Sequence, residues 1–207
     1  MRPNILRVIV GTAVTVALVG GLGAWSSHRS GLAKSAVGTD PGGVREGTLN
    51  PHPGNALIGF SAGCFWGAEQ AFRKVPGVVA TAVGYSGGTS TSPSYEVAHK
   101  TGHLETVLVE FNPTRTPLAN LLKVFWTLPR SRNSTSSLSS KSSYRATIWF
   151  YNLNELNVAK MSRNAQQNEL HTQLAINILP ARPFYLAEEY HQQFDEKSGK
   201  DLCFASP

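Results

Sequence analysis

Residues 56–74 read Ala-Leu-Ile-Gly-Phe-Ser-Ala-Gly-Cys-Phe-Trp-Gly-Ala-Glu-Gln-Ala-Phe-Arg-Lys, and the pattern of apolar residues changes within this stretch. Ala56–Ala62 is a short apolar run, which suits a buried strand. From Cys64 to Lys74 the apolar residues recur at helical spacing. The stretch therefore predicts a strand that leads directly into a helix, with Cys64 at the junction.

A cysteine at this junction has a chemical consequence. The unpaired N–H groups and the dipole at a helix N-terminus favour a thiolate, so they lower the thiol pKa and make Cys64 a candidate nucleophile. Phe65 and Trp66 suit an apolar pocket for a substrate methyl group, and they suit an ordinary core equally well. The second cysteine of the chain, Cys203, follows in a polar tail. The two thiols fit an attacking and a resolving pair, or a structural disulfide.

The rest of the chain predicts alternating strands and helices. The predicted strands are Val78–Tyr85, Leu104–Phe111, Ala146–Tyr151 and Leu174–Leu179, and the predicted helices are Pro117–Trp126, Asn154–His171 and Tyr185–Phe194. Such an order indicates an α/β or α+β domain with helices packed on a mostly buried sheet.

The N-terminal part has a different composition. Two arginines precede the apolar block Val8–Ala24, so residues 1–27 predict a signal peptide or a membrane anchor. Residues 28–55 contain six Gly and three Pro and predict a flexible linker. The folded domain is then 56–207, and we expect a protein that is exported or anchored, with its N-terminus in contact with a membrane.

The net charge of +6 does not indicate a nucleic-acid-binding protein. Residues 1–50 carry +3, residues 130–145 carry +4, and the remainder carries −1. A nucleic-acid-binding domain carries its excess of positive charge on a folded face, whereas here the excess lies in a leader and in a serine-rich stretch. We therefore expect no nucleic-acid partner.

Several short motifs match one known family. They are Gly63-Cys64-Phe65-Trp66-Gly67, Val83-Gly84-Tyr85-Ser86-Gly87-Gly88, Pro93-Ser94-Tyr95, Thr101-Gly102-His103-Leu104-Glu105, Tyr144-Arg145 and His191-Gln192-Gln193-Phe194. With these residues the chain resembles the peptide methionine sulfoxide reductase A (MsrA) family over roughly residues 56–204. The resemblance implies that family's two-layer α/β (ferredoxin-like) sandwich around a mixed sheet.

The resemblance also implies roles for individual residues. Cys64 matches the nucleophile that attacks the sulfoxide sulfur, while Phe65 and Trp66 match the aromatic residues that hold the substrate methyl group. Glu105 matches the acid that protonates the sulfoxide oxygen, a task for which burial must raise its pKa. On residues alone, Glu105 also fits a solvated strand face.

Tyr95 and Tyr144 match two family tyrosines whose hydroxyl groups bind the same oxygen. These hydroxyls polarise the S–O bond as an oxyanion hole does. On residues alone, both tyrosines also fit ordinary aromatic residues at a site's rim.

The resemblance further implies a recycling step. Cys203 matches a resolving cysteine that converts the Cys64 sulfenic acid into a Cys64–Cys203 disulfide. An external thiol, thioredoxin or an equivalent donor, then reduces that disulfide, and no metal or prosthetic group is expected. The expected substrates are oxidised proteins or free methionine sulfoxide of the S epimer, and the expected state is a monomer.

One segment departs from the family pattern. Residues 127–143 are rich in serine, contain no acidic residue and place a serine, near Ser139, where the family has an aspartate. Because Cys64, Glu105, Tyr95 and Tyr144 remain, we expect the chemistry to survive, at a reduced rate or with a less ordered pocket. The departure also fits a sequence error, or a second hypothesis, a catalytically impaired relative with a binding or structural role. A third hypothesis, a cysteine hydrolase or transferase, would pair Cys64 with His103 or His191.

Overall fold

Six strands form one mixed sheet in a computed structural model of the protein, which describes residues 37–132 and 146–199. In chain order they are β1 (Ala56–Ser61), β2 (Val78–Ser86), β3 (Leu104–Phe111), β4 (Thr147–Phe150), β5 (Asn177–Pro180) and β6 (Phe184–Leu186). Across the sheet the order is β5-β4-β1-β3-β2-β6, and every neighbouring pair is antiparallel except β4 and β5, which are parallel. The predicted α/β class with a mixed sheet is confirmed.

The helices follow the predicted order at most positions. They are α1 (Phe65–Arg73), α2 (Leu118–Thr127), α3 (Pro129–Arg132), α4 (Leu153–Leu170) and α5 (Phe194–Ser198). Local signals explain where two of them begin. The fixed φ of Pro117 suits the residue before α2, and the Asn152 side chain accepts a hydrogen bond from Glu155 N at the start of α4.

The main core lies between one face of the sheet and the helices. Phe60 of β1 stacks on Phe72 of α1 with ring centroids 4.5 Å apart, and both side chains are buried. Each such side chain contributes about 1.5–3 kcal/mol through its burial. The strand and helix predicted for residues 56–74 are thus joined by their own apolar faces, which holds the N-terminus of α1 close to the sheet.

The two faces of β3 serve different parts of the protein. All eight residues of β3 are buried, and their side chains alternate between the faces. Val107 and Val109 belong to the core beneath the helices, whereas Leu108 packs in a smaller cluster on the opposite face. By the same alternation Glu105 faces the helices and Glu110 faces away from them.

The prediction of a flexible linker does not describe the part of residues 28–55 that the structure includes. Residues 37–55, the N-terminal strap, pack against the sheet, with Val37 at the main core and Val44 and Leu49 in the cluster on the face opposite the helices. Gly38 forms a β-bridge with Ala80, and Val44 is buried beside Leu57. The strap therefore belongs to the folded unit.

A buried carboxylate explains why this turn-rich segment is ordered. Glu110 accepts hydrogen bonds from Gly42 N at 2.8 Å, His52 N at 2.8 Å and Asn55 Nδ2 at 2.7 Å. A glycine- and proline-rich composition predicts turns, but it carries no information about an anion 55 residues further along the chain that binds the amides of those turns.

The helix predicted for Tyr185–Phe194 is wrong. Residues Phe184–Leu186 form β6, which pairs with the edge of β2 through Tyr85 and Tyr185. A single 3₁₀ turn covers Glu189–His191, and the helix α5 begins only at Phe194. Pairing with a sheet edge satisfies backbone groups that a local pattern assigns to a helix, and the left-handed Gln193 (φ 50°) separates the 3₁₀ turn from α5.

The predicted signal peptide or anchor, residues 1–27, lies outside the described residues. Within 37–132 and 146–199, no helix has the length and apolar character needed to cross a membrane.

Candidate active site

Cys64 lies where strand and helix meet, as the sequence predicts. Gly63 adopts φ +92°, a conformation that favours glycine, and turns the chain from β1 into α1. Cys64 is the exposed N-cap residue of α1, so its side chain lies at the N-terminus of the helix, where the helix dipole favours a thiolate. Cys203 lies outside the described residues, and the Cys64–Cys203 pairing stays a prediction.

Glu105 is buried next to this helix start. Phe65 N, the amide that follows Cys64, donates a hydrogen bond to Glu105 Oε2 at 3.1 Å. Burial raises the pKa of Glu105, and the hydrogen bond from Phe65 offsets only part of that effect. His99 Nε2 lies 3.6 Å from the other carboxyl oxygen. A side chain that is 7% exposed excludes the solvated-face alternative, and its raised pKa favours a carboxylic acid that can donate a proton.

Trp66 is held by contacts on two sides. Its Nε1 donates a hydrogen bond to His191 Nδ1 at 2.9 Å, and its ring stacks on Phe194 at a centroid distance of 4.0 Å. Since Nδ1 accepts, we assign the proton of neutral His191 to Nε2, which lies 3.9 Å from Glu188 Oε2. Burial lowers the pKa of His191, so the neutral form that can accept from Trp66 is favoured. These contacts orient the indole ring beside Cys64.

Tyr95 reaches the same region from the loop before β3. Its ring lies 4.7 Å from that of His191 and is 42% exposed, so the side chain borders solvent. Glu188 anchors the Tyr95 backbone, because Tyr95 N donates to Glu188 Oε1 at 3.0 Å and Tyr85 Oη donates to Oε2 at 2.8 Å. Burial acts to raise the pKa of Glu188, but these hydrogen bonds outweigh it and the pKa is lowered.

Comparison with known proteins identifies the family. The sequence model of the family described as peptide methionine sulfoxide reductase matches residues 56–207. This chain belongs to that family. Peptide methionine sulfoxide reductase A2 of Arabidopsis thaliana is 41% identical to it over 164 residues, which cover 76% of this chain and 73% of that protein. Its counterpart in Methanosarcina acetivorans is 42% identical over 156 residues, covering 72% and 82% respectively.

A solved structure agrees with the fold. The crystal structure of Mxr1 from Saccharomyces cerevisiae in reduced form matches with a TM-score of 0.64 at 29% identity, covering 72% of this chain and 89% of that chain. The reductase family and its fold, both expected from the sequence motifs, are therefore confirmed.

The structure brings together five of the seven residues that the sequence assigns to a reductase site. Cys64, Phe65, Trp66, Tyr95 and Glu105 surround the N-terminus of α1, although Phe65 is buried in the core while Trp66 is only half-buried. Tyr144 and Cys203 lie outside the described residues, as does most of the divergent segment 127–143. The roles of all seven residues stay predictions.

Sequence reasoning missed three neighbours of this site. They are His99, Tyr85 and Glu188, which contact Glu105, Phe65 and Tyr95 respectively. Tyr85 lies within a motif that matches the family, but nothing local indicates which side chain it would contact. The contacts of Tyr85 and Glu188 join residues 20 and 93 positions apart in the chain, so the spacing of residue types does not reveal them.

The hydrolase alternative requires a histidine that accepts a proton from Cys64. Nδ1 of His191 already accepts from Trp66, and Nδ1 of His103 lies 2.9 Å from Thr101 Oγ1. Burial lowers the pKa of both histidines. The family match and the buried carboxyl of Glu105 at the start of α1 favour the acid-assisted chemistry of a reductase. Among the described residues, no group of three or more His, Cys, Asp and Glu side chains could hold a metal ion.

Proposed function

We propose that this reductase-family member reduces methionine sulfoxide to methionine with electrons from thiols. The observation that carries the proposal is the buried carboxyl of Glu105, which lies at hydrogen-bond distance from the amide following Cys64. A nucleophilic sulfur and a proton donor with a raised pKa are the two groups needed to break an S–O bond.

The first step joins sulfur to sulfur. The Cys64 thiolate attacks the sulfoxide sulfur, and the oxygen takes a proton from Glu105 as its negative charge develops. Transfer of the protonated oxygen to Cys64 then breaks the substrate S–O bond and the new S–S bond, which releases methionine and leaves a sulfenic acid on Cys64. The substrate sulfur gains the two electrons that Cys64 loses. Trp66 and Phe65 would bind the methyl group, and the hydroxyls of Tyr95 and Tyr144 would bind the oxygen.

The second step regenerates the thiol. The Cys203 thiolate attacks the Cys64 sulfenic sulfur, a disulfide forms and the hydroxyl leaves as water. A dithiol such as thioredoxin then reduces the disulfide. The substrates we propose are methionine-S-sulfoxide residues of oxidised proteins and the free amino acid, and we propose a monomer without a metal or prosthetic group.

In this proposal the N-terminal segment determines where in the cell the enzyme acts. Residues 1–27 would export the protein or anchor it to a membrane, so its reductant would have to be available beyond that membrane. N-terminal sequencing and membrane fractionation of the mature protein separate the two cases. A start after residue 24 means cleavage, a start at Met1 in the membrane fraction means an anchor, and a start at Met1 in the soluble fraction would contradict both.

One assay tests the activity. Purified protein is incubated with dithiothreitol and a peptide that contains methionine-S-sulfoxide, and methionine is quantified by mass spectrometry. We expect turnover that the Cys64→Ser variant lacks. Equal, background-level product from both proteins would overturn the proposal. It would support the hypothesis of a catalytically impaired relative, which the divergent segment 127–143 suggests. An acyl group trapped on Cys64 by an ester substrate would instead support a hydrolase.

A further inference from the structure

His99 lies beside the buried acid of the site. Its Nε2 is 3.6 Å from Glu105 Oε1, the carboxyl oxygen to which the amide of Phe65 does not donate. The side chain of Glu105 is 7% exposed and that of His99 is 30% exposed, so the pair joins a carboxyl shielded from water to a ring that water reaches. No step of the proposed reaction uses this histidine.

The turn that carries His99 is fixed by its neighbours. Residues Ala98–Thr101 form a 3₁₀ turn in the loop before β3. Ala98 is buried in the main core, its N donates to Ser94 O at 2.8 Å, and its O accepts from His103 N at 2.9 Å. The backbone of His99 is therefore held between a core residue and the start of β3, so the fold sets its position beside the site.

Hydrogen bonding indicates which oxygen of Glu105 carries the proton. Phe65 N donates to Oε2 at 3.1 Å, so Oε2 is an acceptor. A protonated carboxyl has one O–H donor, and the oxygen that accepts from an amide is its carbonyl oxygen. The proton that Glu105 can transfer is therefore on Oε1, the oxygen that faces His99.

Other charged and titratable groups lie around this pair. They are Cys64 at the start of α1, Tyr85 opposite Glu105 on β2, Tyr95 edge-on to the His99 ring at 6.5 Å, Arg130 of α3 beside Gly63, and Glu188 and His191 after β6. Burial and the hydrogen bond to Glu188 raise the pKa of Tyr85, so its phenol is neutral, and burial lowers the pKa of His191, so its neutral form is favoured. His99 lies at ion-pair distance from Glu105, and histidine is the side chain type whose charge changes near neutral pH.

We propose that His99 is a positioning residue for the proton of Glu105; this inference rests on the proposed function. When the O–H bond at Oε1 breaks, the proton passes to the sulfoxide oxygen and a buried carboxylate remains. The imidazolium of His99 stabilises this carboxylate, because an opposite charge within about 4–6 Å favours the ionised form. The Nε2 proton of His99 then passes to Oε1, which restores the acid, and the neutral imidazole takes up a proton from water.

The pH dependence of methionine formation tests the pair. Reduced full-length protein, in excess over a methionine-S-sulfoxide peptide, is quenched in acid at a series of pH values, and methionine is quantified. The rate falls as pH rises through the pKa of Glu105, because the protonated carboxyl is the active form. This falling limb reports the charge that faces Glu105, which a purely structural residue does not change.

Two substitutions of His99 should move the falling limb in opposite directions. His99→Gln is neutral at every pH, so we expect the limb to move up by about one pH unit. Since Glu105 is then a weaker acid, the rate below the limb should drop about threefold to tenfold. His99→Lys keeps a positive charge throughout, so we expect the limb to move down by about one pH unit.

Lys100→Gln is the matched control. It removes a positive charge from an exposed residue of the same turn, so the limb should stay at the wild-type pH if the effect depends on the position of His99 beside Glu105. Alkylation of Cys64 by iodoacetamide at each pH measures the thiolate separately, and we expect the same profile in the wild-type protein and in His99→Gln.

The outcomes are distinguishable. A limb at the wild-type pH in both His99 variants, or one that moves in the same direction in both, would overturn this inference while the reductase activity stands. An alkylation profile that shifts while the limb does not would assign the charge of His99 to Cys64, which also overturns it. If the wild-type protein forms no methionine at any pH, the proposed function fails and this inference falls with it.

Discussion

Strand β3 carries two buried glutamates that behave in opposite ways. Glu105 is 7% exposed and Glu110 is 0% exposed, and burial pushes the pKa of each carboxyl upwards. For Glu105 the hydrogen bond from Phe65 does not outweigh burial, so its pKa is raised. For Glu110 the hydrogen bonds from Asn55, Gly42 and His52 do outweigh it, and its pKa is lowered.

The difference teaches that donors, more than burial, decide what a buried carboxyl can do. On the helix side of the sheet, Glu105 lies near the reactive cysteine and can hold a proton at a pH where an ordinary carboxyl is ionised. On the strap side, the lowered pKa keeps Glu110 ionised at neutral pH, and this carboxylate orders residues 37–55. Glu105 and Glu110 are five positions apart on β3, and this odd spacing places their side chains on opposite faces of the sheet. One carboxyl is therefore suited to proton transfer and the other to holding the strap.

The largest effect that tests this comparison is expected from Glu105→Gln. An amide cannot transfer a proton, so we expect kcat/KM for a methionine-S-sulfoxide peptide to fall by about 10²- to 10⁴-fold. In the wild-type protein the protonated carboxyl is the active form, so the rate of methionine formation should decline as pH rises through the raised pKa of Glu105. The variant should lack this limb. A variant with more than a tenth of wild-type activity and an unchanged pH profile would refute the assignment.

The matching change on the other face is Glu110→Gln, which places an amide group among donors that require a carboxylate. We expect it to lower the free energy of unfolding by about 2–4 kcal/mol, measured by urea denaturation, with the activity per folded molecule retained. The folded-state pKa is lowered, so the stability that Glu110 contributes is present above its ordinary value of 4.5 and is lost as pH falls through the folded-state pKa. The loss of stability in acid should therefore be shallower in the variant.

The two variants should also change the free energy of unfolding in opposite directions. The pKa of Glu105 is raised, so ionising this carboxyl at higher pH destabilises the fold, and Glu105→Gln should unfold at an equal or higher urea concentration near neutral pH. Equal destabilisation by both substitutions would show that burial alone governs these carboxyls.

Glu188 extends the comparison to a carboxylate beside the site. It accepts from Tyr95 N and Tyr85 Oη and its pKa is lowered, so it resembles Glu110 in its electrostatics. We expect Glu188→Gln to lower kcat/KM about 5- to 20-fold, mainly through KM, because the Tyr95 loop loses an anchor while the reacting groups remain. A shifted pH profile in this variant would mean that Glu188, and not Glu105, supplies the proton.

The smallest effect should come from the exposed contact of the strap. Arg45 Nη1 lies 2.9 Å from Glu189 Oε2, and both side chains are exposed to solvent to a substantial degree. Arg45→Ala should lower the free energy of unfolding by less than about 1 kcal/mol, and added salt should reduce the difference further. If Arg45→Ala lowered the free energy of unfolding as much as Glu110→Gln does, the strap would be held mainly by the exposed Arg45–Glu189 pair and not by the buried Glu110.

Sequence reasoning succeeded where neighbouring residues carry the information. The strand and the helix on either side of Cys64 follow from apolar periodicity over 19 residues, and the helix in the structure ends within one residue of its predicted end. It failed at Tyr185–Phe194 and in the strap, because β6 depends on the edge of β2 and the strap depends on Glu110. Both partners are distant in the chain.

The sequence by itself determined the order of most strands and helices, the position of Cys64 at a helix start and the family to which the chain belongs. These features depend on local periodicity and on short motifs, which are complete within a few residues. Only the tertiary structure decided which carboxyl holds its proton and that the strap is ordered. Each depends on hydrogen bonds between distant residues, and only folding brings those donors and acceptors together and removes water from around them.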